Sequence, residues 1–448
     1  MNTRGHRRQV KCNDLLLLTA IGLCAISFST HAQFTVGGQL MLRSEYRNGY
    51  GKLIQKDQQP AFLIGQRARI QTQYEHEKVN FFVSIQDVRT WGSTPQVKSS
   101  DGYFSIHEAW GELVLGKNWK AKLGRQELNY DNVRFLGNLD WALQARAHDF
   151  ALVKYEQDLM KVHFGAGYNQ VNETLVNQPY TMTNQYKTAQ MLRVENQWGN
   201  MEASFLFWNN GMAQLIYDTL GKPVDETIRY SQTLGLPTLR YKSGNFTLSG
   251  FYYLQVGRDI TTKSLRAHNV SAQASYTRIL IEEKGRKIQS TVGFELLTGT
   301  SQQATDNINR SYNPFYGTNH AHNGYMDFFY VGGRYVNSVG LQDFFLRLRY
   351  DVSQKLFLSL NGHHFLAAAD VVDTGDNLSS LLGTELDFTA GWLLNDVVSL
   401  QVGYSQMWAT DTFKFLQGSV NTSALQNWAY AALLVRPNMK NRFVGLIF

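Results

Sequence analysis

The sequence predicts an all-β protein, a transmembrane antiparallel β-barrel of about 18 strands with short periplasmic turns and long extracellular loops. The first observation behind this prediction is a period of two in hydrophobicity. Near the C-terminus Val398, Leu400 and Val402 share one parity, while Ser399 and Gln401 share the other. Because successive side chains of a strand point to opposite faces, this pattern predicts an apolar face against lipid and a polar face against water.

The second observation is the alternation of two kinds of connection. Turns of two or three residues, such as 76–78 and 395–396, alternate with polar connections such as 129–143, 170–187 and 300–340. A soluble β-sandwich would have tight turns at both ends. Outer-membrane barrels instead have short turns at the periplasmic rim and long loops outside, which is the pattern found here.

The third observation is compositional. The chain has 9 Trp, 23 Tyr and 26 Phe, and barrels place aromatic rings in girdles at both membrane interfaces. Beyond the N-terminal region no stretch approaches the roughly 20 apolar residues that a spanning helix needs. The alternation predicts eighteen strands, at 34–46, 61–75, 78–90, 104–115, 118–128, 144–156, 159–169, 188–198, 200–208, 228–242, 245–256, 265–278, 287–298, 341–351, 355–366, 383–394, 397–408 and 426–436.

The N-terminus predicts export from the cytoplasm. A basic start is followed by the apolar run LLLLTAIGLCAISFS and by Thr30-His31-Ala32, which predicts a signal peptide at 1–32 and cleavage before Gln33. Cys12 and Cys24, the two cysteines of the chain, would be lost with it, so neither disulfides nor thiol chemistry are expected.

The remainder predicts one barrel over 33–436 and a C-terminal tail or last-strand extension over 437–448. Of the formal net charge of +7, the signal carries +3 and about +4 remains. This excess is too diffuse for nucleic acid and favours an anionic cargo or the phosphate-bearing lipopolysaccharide of the outer leaflet.

A barrel of this size encloses water, so the residues of its inner wall determine what passes. The parity opposite the apolar face carries eight arginines, which suit an anionic polymer or acid because each guanidinium stays charged and binds carboxylates through a planar fork. These are Arg43, Arg67, Arg69, Arg146, Arg193, Arg240, Arg347 and Arg349. An alternative remains open, in which they pair with inward acids, namely Glu45, Glu75, Glu108, Glu112, Glu195, Glu385 and Asp387.

Three segments carry a family resemblance: LGRQELNYDNVRFLGNLDWALQARAHDF (123–150), LMLRSEYRNGYGK (40–52) and FYGTNHAHNGYMDFFYVG (315–332) with LQDFFLRLRYD (341–351). The chain resembles the alginate-export-like outer-membrane porins over most of its length. The resemblance implies a monomeric 18-stranded barrel whose arginine-rich constriction passes a uronic-acid polymer. By position, it assigns that constriction to Arg125, Arg134, Arg146 and Arg347, although Arg125 has the parity of the lipid-facing Leu123.

No catalytic or metal-binding pattern emerges, so neither a cofactor nor a metal is expected. His320 and His322 lie in an aromatic loop, His363 and His364 point to opposite faces, and His148-Asp149 cannot act on one water for the same reason. The acidic segment 370–376 lacks the spacing of an EF-hand loop.

The sequence therefore predicts a channel, rather than an enzyme, for diffusion or export of anionic saccharides (alginate-like uronic-acid polymers or oligomers) or other small acids. A general non-specific porin is the alternative, followed by a barrel lipase or protease and by an adhesin. The expected partners are the lipid bilayer, lipopolysaccharide and the outer-membrane assembly machinery. The true cargo, its direction and the need for a periplasmic partner stay open.

Overall fold

A computed structural model describes residues 33–97, 102–419, 421–437 and 443–446. Within them eighteen long antiparallel strands form a closed barrel, as the sequence predicts. Three further strands, β14, β17 and β18, have two residues each and lie in loops. The predicted signal at 1–32 and most of the tail at 437–448 fall outside the described residues.

The strand bounds follow chain order. They are β1 (Gln33–Asn48), β2 (Ala61–Glu75), β3 (Val79–Thr90), β4 (Phe104–Val114), β5 (Trp119–Gln126), β6 (His148–Gln157), β7 (Met160–Tyr168), β8 (Thr188–Trp198), β9 (Met201–Tyr217), β10 (Pro223–Ser243), β11 (Phe246–Arg258), β12 (Ser264–Ile281), β13 (Arg286–Leu297), β14 (Ile308–Asn309), β15 (Leu341–Asp351), β16 (Leu356–Leu366), β17 (Val372–Asp373), β18 (Asp376–Asn377), β19 (Leu381–Leu393), β20 (Val398–Ala409) and β21 (Gln426–Val435).

Closure depends on pairing between the first and last strands of the wall. Strand β1 pairs with β21 from Leu40 opposite Val435 to Asn48 opposite Asn427. On its other side β1 pairs with β2 along nearly its whole length, beginning at Gln33 opposite Glu75. The part of β1 before Leu40 therefore has a ladder partner on one side only among the described residues.

The burial pattern of the wall is inverted relative to a soluble protein. In β20 the apolar Val402 and Trp408 are exposed on the outside, whereas Gln401 and Ser405 are buried inside. Aromatic side chains cluster outside near the short turns, where the tilted rings of Phe246 and Tyr276 pack with their centroids 4.7 Å apart. Lipid-facing apolar residues with an interfacial aromatic belt are the expected exterior of a membrane barrel.

The structure corrects several predicted bounds. Strands β9 and β10 extend well beyond 200–208 and 228–242, so the connection between them at 218–222 is short although it lies on the long-loop rim. The predicted strand 144–156 begins only at His148. The ladder between β9 and β10 continues through these extensions as far as Pro223 opposite Tyr217.

Helical structure was not expected after the signal, yet the structure contains a six-residue helix, α1 (Asp411–Leu416), and two 3-10 turns. Local residues explain the start of α1. The Thr410 hydroxyl caps the helix by accepting a hydrogen bond from the Phe413 amide, and the negative charge of Asp411 lies in the first turn. None of the helices in the described ranges is long and apolar enough to cross a membrane.

The C-terminal tail turns inward. Residues 443–446 form no strand, and Val444 is buried inside the barrel against Gln401 of β20. Both alternatives for 437–448 stay predictions, because most of that range lies outside the described residues. Arg436, which follows β21, forms an ion pair inside the barrel with Asp140 at 3.0 Å.

We predict that Ala272→Arg and Gln273→Arg will differ in stability although they are adjacent in β12. Ala272 is exposed on the lipid side, so an arginine there should lower the free energy of unfolding by about 2–4 kcal/mol if it lies near the midplane. Gln273 faces an open chamber in the lumen, where an arginine stays hydrated and should cost little. Urea unfolding in lipid vesicles measures both, and equal losses would contradict the assigned faces.

Candidate functional site

Two long loops fold into the lumen and pack against each other. We call residues 127–147 and 310–335 together the loop plug. A backbone bridge joins Leu136 to Tyr316, and the Gly137 amide donates to the Tyr316 carbonyl at 2.9 Å. A β-carbon on Gly137 would meet the Thr318 hydroxyl at 2.4 Å, so this close approach requires a glycine. The plug therefore narrows a barrel that would otherwise be wide open.

Arg134 ties the plug to the wall. Its Nε donates to Glu295 of β13 at 2.7 Å, and its two terminal nitrogens donate to Asn323 at 2.7 Å and Asn319 at 3.2 Å. Asn323 in turn donates to Glu295 and to Asp343 of β15. Arg134 has no solvent exposure, so the structure uses it as an anchor rather than as the pore-lining residue that the resemblance implied.

Three predicted pore arginines likewise anchor the plug or the wall. Arg43 donates to the Trp141 carbonyl at 2.6 Å and stacks over its ring, and Arg67 binds Asp140 at 2.7 Å. Arg69 donates twice to Gln86 of β3. All three are buried. Arg43 and Arg67 directly, and Arg69 through Gln86, hold residues 127–147 against strands β1 to β3.

Asp140 forms ion pairs with two arginines. It pairs with Arg67 and with Arg436, which are on opposite sides of the seam between β1 and β21. Burial alone would raise the pKa of Asp140, but Arg67, Arg436 and Arg69 outweigh it and hold that pKa well below its usual range. The carboxylate therefore stays ionised at any physiological pH.

Arg146 differs from these anchors. In the described part of the chain its guanidinium bonds only to carbonyl oxygens, those of Gly317 at 3.0 Å and Gly137 at 3.4 Å. Burial lowers its pKa to about 10, which leaves it charged at neutral pH. It is half-buried in the plug and carries a positive charge without a carboxylate partner there.

The inward acids divide into two groups. Glu45 pairs with Arg43 at 2.8 Å, as the alternative expected, whereas others have different partners. Glu385 and Asp387 of β19 accept the backbone amides of Met326 and Tyr325, and so hold the second half of the plug. Glu112 pairs with Lys154, a cation that parity arguments limited to arginine overlooked. Charge pairing is therefore common inside this barrel, but much of it fixes the loops.

A chamber of about 370 Å³ lies beside the plug, against strands β8 to β13 and β15. Its wall contains three of the predicted arginines, four acids and a histidine. These are Arg193, Arg240, Arg347, Asp131, Glu195, Glu202, Glu295 and His322. The structure thus brings Arg193, Arg240 and Arg347 together and leaves Arg146 in the neighbouring plug.

The three chamber arginines are not equivalent. Arg193 is neutralised, since it binds Asp131 at 2.9 Å and also Glu195. Arg347 donates to the His322 carbonyl at 3.3 Å and lies over Phe345. Within the described ranges no carboxylate lies within ion-pair distance of Arg347 or of the exposed Arg240, which neighbours Glu202 across the ladder.

His322 adds a neutral polar group to this chamber. Burial, reinforced by the charges of Arg134 and Arg347, lowers its pKa well below the ordinary histidine value. Its Nε2 has no hydrogen-bond partner among the described residues. Leaving a buried polar atom without a partner costs free energy, so this nitrogen is a destabilising feature of the plug with almost no surface toward the chamber.

The last two predicted arginines do not face the chamber. Arg349 binds Asp351 at 2.7 Å on the inner wall. Arg125 has the outward parity of Trp119 and Leu123, where it pairs with Asp149 at 2.9 Å. This parity argues against a place in the pore, while Arg125 also borders a pocket beside His107 and Gln144, so its role stays a prediction.

Sequence reasoning also missed an aromatic cluster in the lumen. Trp208 packs parallel to Phe150 at 5.7 Å and contacts Tyr186 and Tyr316, and its side chain is fully buried. The available signal was the inward parity of Trp208 and Phe150 on strands whose lipid faces are already apolar. Asp131 was missed for another reason: its left-handed backbone, with φ of 53°, lies in a loop without periodicity.

In the part of the chain that the structure describes, His107, Glu108 and Glu127 form a cluster of metal-ligating types outside the chamber, with their ligand atoms within 4.8 Å of one another. A bulge in β4 turns His107 and Glu108 inward together. His107 binds Glu127 at 2.8 Å, and Glu108 accepts the Glu127 amide. These bonds fix the base of residues 127–147, which is a sufficient structural role for the cluster.

The closed wall, the lipid-facing exterior and the polar lumen together define a β-barrel channel of the bacterial outer membrane. Comparison with known families gives a match to the alginate export family over residues 32–427. The chain belongs to that family, as its resemblance predicted. A comparison with curated proteins found no match.

Solved structures share the fold at low identity. OpdK of Pseudomonas aeruginosa, solved with vanillate, is 12% identical with a TM-score of 0.57, covering 90% of this chain and 98% of that one. OccK3 (OpdO) of the same organism is 13% identical with a TM-score of 0.56, covering 90% and 95%. OccK11 (OpdR) is 12% identical with a TM-score of 0.54 and the same coverage. These relatives show the barrel alone.

We predict that Arg134→Gln will destabilise the protein by about 3–5 kcal/mol, because it leaves the buried Glu295 without its cation. The double variant Arg134→Gln/Glu295→Gln removes both charges and should recover much of that loss. Thermal unfolding in detergent, followed by circular dichroism, measures the three proteins. A double variant no more stable than the single one would contradict the ion pair.

Proposed function

We propose that the protein is an anion-preferring channel for uronic-acid saccharides, as polymers or oligomers, or for other small acids. The observation that carries the proposal is the set of arginines without a carboxylate partner: Arg347 and Arg240 in the chamber and Arg146 in the plug. Guanidinium groups that are not engaged by protein carboxylates can bind those of a solute.

The shape of the chamber supports the same class of solute. A volume of about 370 Å³ is at the lower end of small-molecule sites, and suits one sugar unit or a small acid at a time. The hydroxyls of Ser249, Ser271 and Ser275 in the chamber wall offer neutral hydrogen bonds to a solute's hydroxyls. OpdK, a barrel of the same fold, is described with vanillate, which is a small carboxylate.

A general porin is the second candidate, and a specific observation favours it. The chamber contains four acids, and Glu202 lies opposite Arg240 in the ladder between β9 and β10. If these acids cancel the arginine field, size alone would select solutes. We further propose a monomer that contacts outer-leaflet lipopolysaccharide and depends on the outer-membrane assembly machinery.

We predict that Arg240→Gln/Arg347→Gln will shift the reversal potential of the channel toward cation preference under a salt gradient. The two charges face the chamber within about one Debye length of a passing ion, roughly 8 Å at physiological salt. Their loss should therefore weaken the attraction of the chamber for anions. Planar-bilayer recordings measure the shift. Competition by an oligouronate for the current should weaken in the same variant.

Arg125→Gln is the control, since it removes an arginine that lies outside the chamber and is already paired with Asp149. Its reversal potential should equal that of the native protein. A native channel that prefers cations, or a double variant that behaves like Arg125→Gln, would overturn the anion-selective proposal and support the general porin.

A further inference from the structure

The four described residues of the C-terminal tail, 443–446, occupy a defined place inside the lumen. Gln401 of β20 holds Val444 by both backbone groups, since its amide nitrogen donates to the Val444 carbonyl at 3.0 Å and its oxygen accepts the Val444 amide at 3.1 Å. Gln401 is fully buried, and Tyr430 of β21 accepts a further hydrogen bond from it at 2.7 Å. The Gln401 side chain thus bonds both backbone groups of Val444, as a neighbouring strand would.

Ring contacts and glycines complete this docking site. Phe443 packs edge to face on Phe357 of β16 at 4.9 Å. A β-carbon on Gly391 of β19 would meet the Phe443 ring at 2.7 Å, so the wall has room for that ring only because residue 391 is glycine. Leu446 packs against the lumen core. The site therefore fits this segment of chain by shape as well as by hydrogen bonding.

The tail also contacts the loop plug. Gly445 lies against the stacked Trp141 and His320 rings, and its β-carbon would approach Trp141 to 2.5 Å. Its φ of 73° is in the left-handed region that favours glycine. Residues 443–446 are thus wedged between the plug on one side and strands β16, β19, β20 and β21 on the other.

This position complements the chamber. The chamber lies against β8 to β13 and β15, whereas the tail fills lumen next to the remaining strands near β1. We propose that residues 443–446 are an intraluminal C-terminal wedge that closes this part of the channel and that leaves when the channel opens fully. The wedge is a device of the channel itself and does not depend on which solute passes.

A reversible cross-link tests the wedge in the assembled protein. The native cysteines are at 12 and 24, so Gln401→Cys/Val444→Cys introduces a pair without competitors within residues 33–448. A short bifunctional methanethiosulfonate should lock the wedge, giving a steady low conductance in planar bilayers. Dithiothreitol should restore transitions to a higher level. Equal conductance before and after reduction would overturn the proposal.

Gly445→Val tests the same idea without a cross-link. The added side chain collides with Trp141 and strains the backbone, so the wedge should leave its site and the mean conductance should rise. Gly418→Val is the matched control, because Gly418 also has a positive φ of 62° but open space around it. A rise in both variants, or in neither, would count against the wedge, and the cross-link remains decisive should Gly445→Val fail to assemble.

Discussion

The closure of the wall between β1 and β21 is the constraint on which the rest of the structure depends. Lipid offers no hydrogen bonds, so every backbone amide and carbonyl in the spanning region needs a partner within the protein. Joining the first and last strands removes the two open edges of the sheet. Once closed at eighteen strands, the barrel is too wide for its own inward side chains to fill.

That width explains why so many charged groups are buried here. The lumen is filled by two loops with little regular structure, and such loops have no ladder to position them. Arg134, Arg67 and Glu385 position them instead, each by binding loop groups from a buried location. Buried ion pairs contribute modestly to stability, but they fix one arrangement among many, which is what a constriction requires.

The fold could be predicted because its determinants are periodic. Alternation along β20 shows which residues face lipid, and short turns such as 76–78 show where the rim lies. The site was less accessible, since parity shows that Arg67 and Arg347 both point inward but not that only Arg67 meets Asp140. That difference depends on where a loop returns across the lumen. Asp131 and the inward course of residues 443–446 were missed for the same reason, whereas the strand residue Lys154 was missed because only arginines were considered.

Periodicity and family resemblance disagree at Arg125. Its parity matches that of Leu123, which is exposed, whereas the family resemblance alone places it in the constriction. Local periodicity is a guide within a strand. Within loops no such guide exists, and the resemblance located the right segment, 123–150, while assigning Arg134 a different task from the anchoring one it has.

Among the described residues, the pairing of β21 ends opposite Leu40, and the first residues of β1 pair there with β2 alone. The described wall therefore has a partial slit that begins at its periplasmic rim. A force that pulls β1 and β21 apart would act first on the last pair of their ladder, Leu40 opposite Val435. The ion pair between Arg436 and Asp140 links the end of β21 to a loop residue that also pairs with Arg67 of β2. These two ion pairs therefore connect the two sides of the slit at this end.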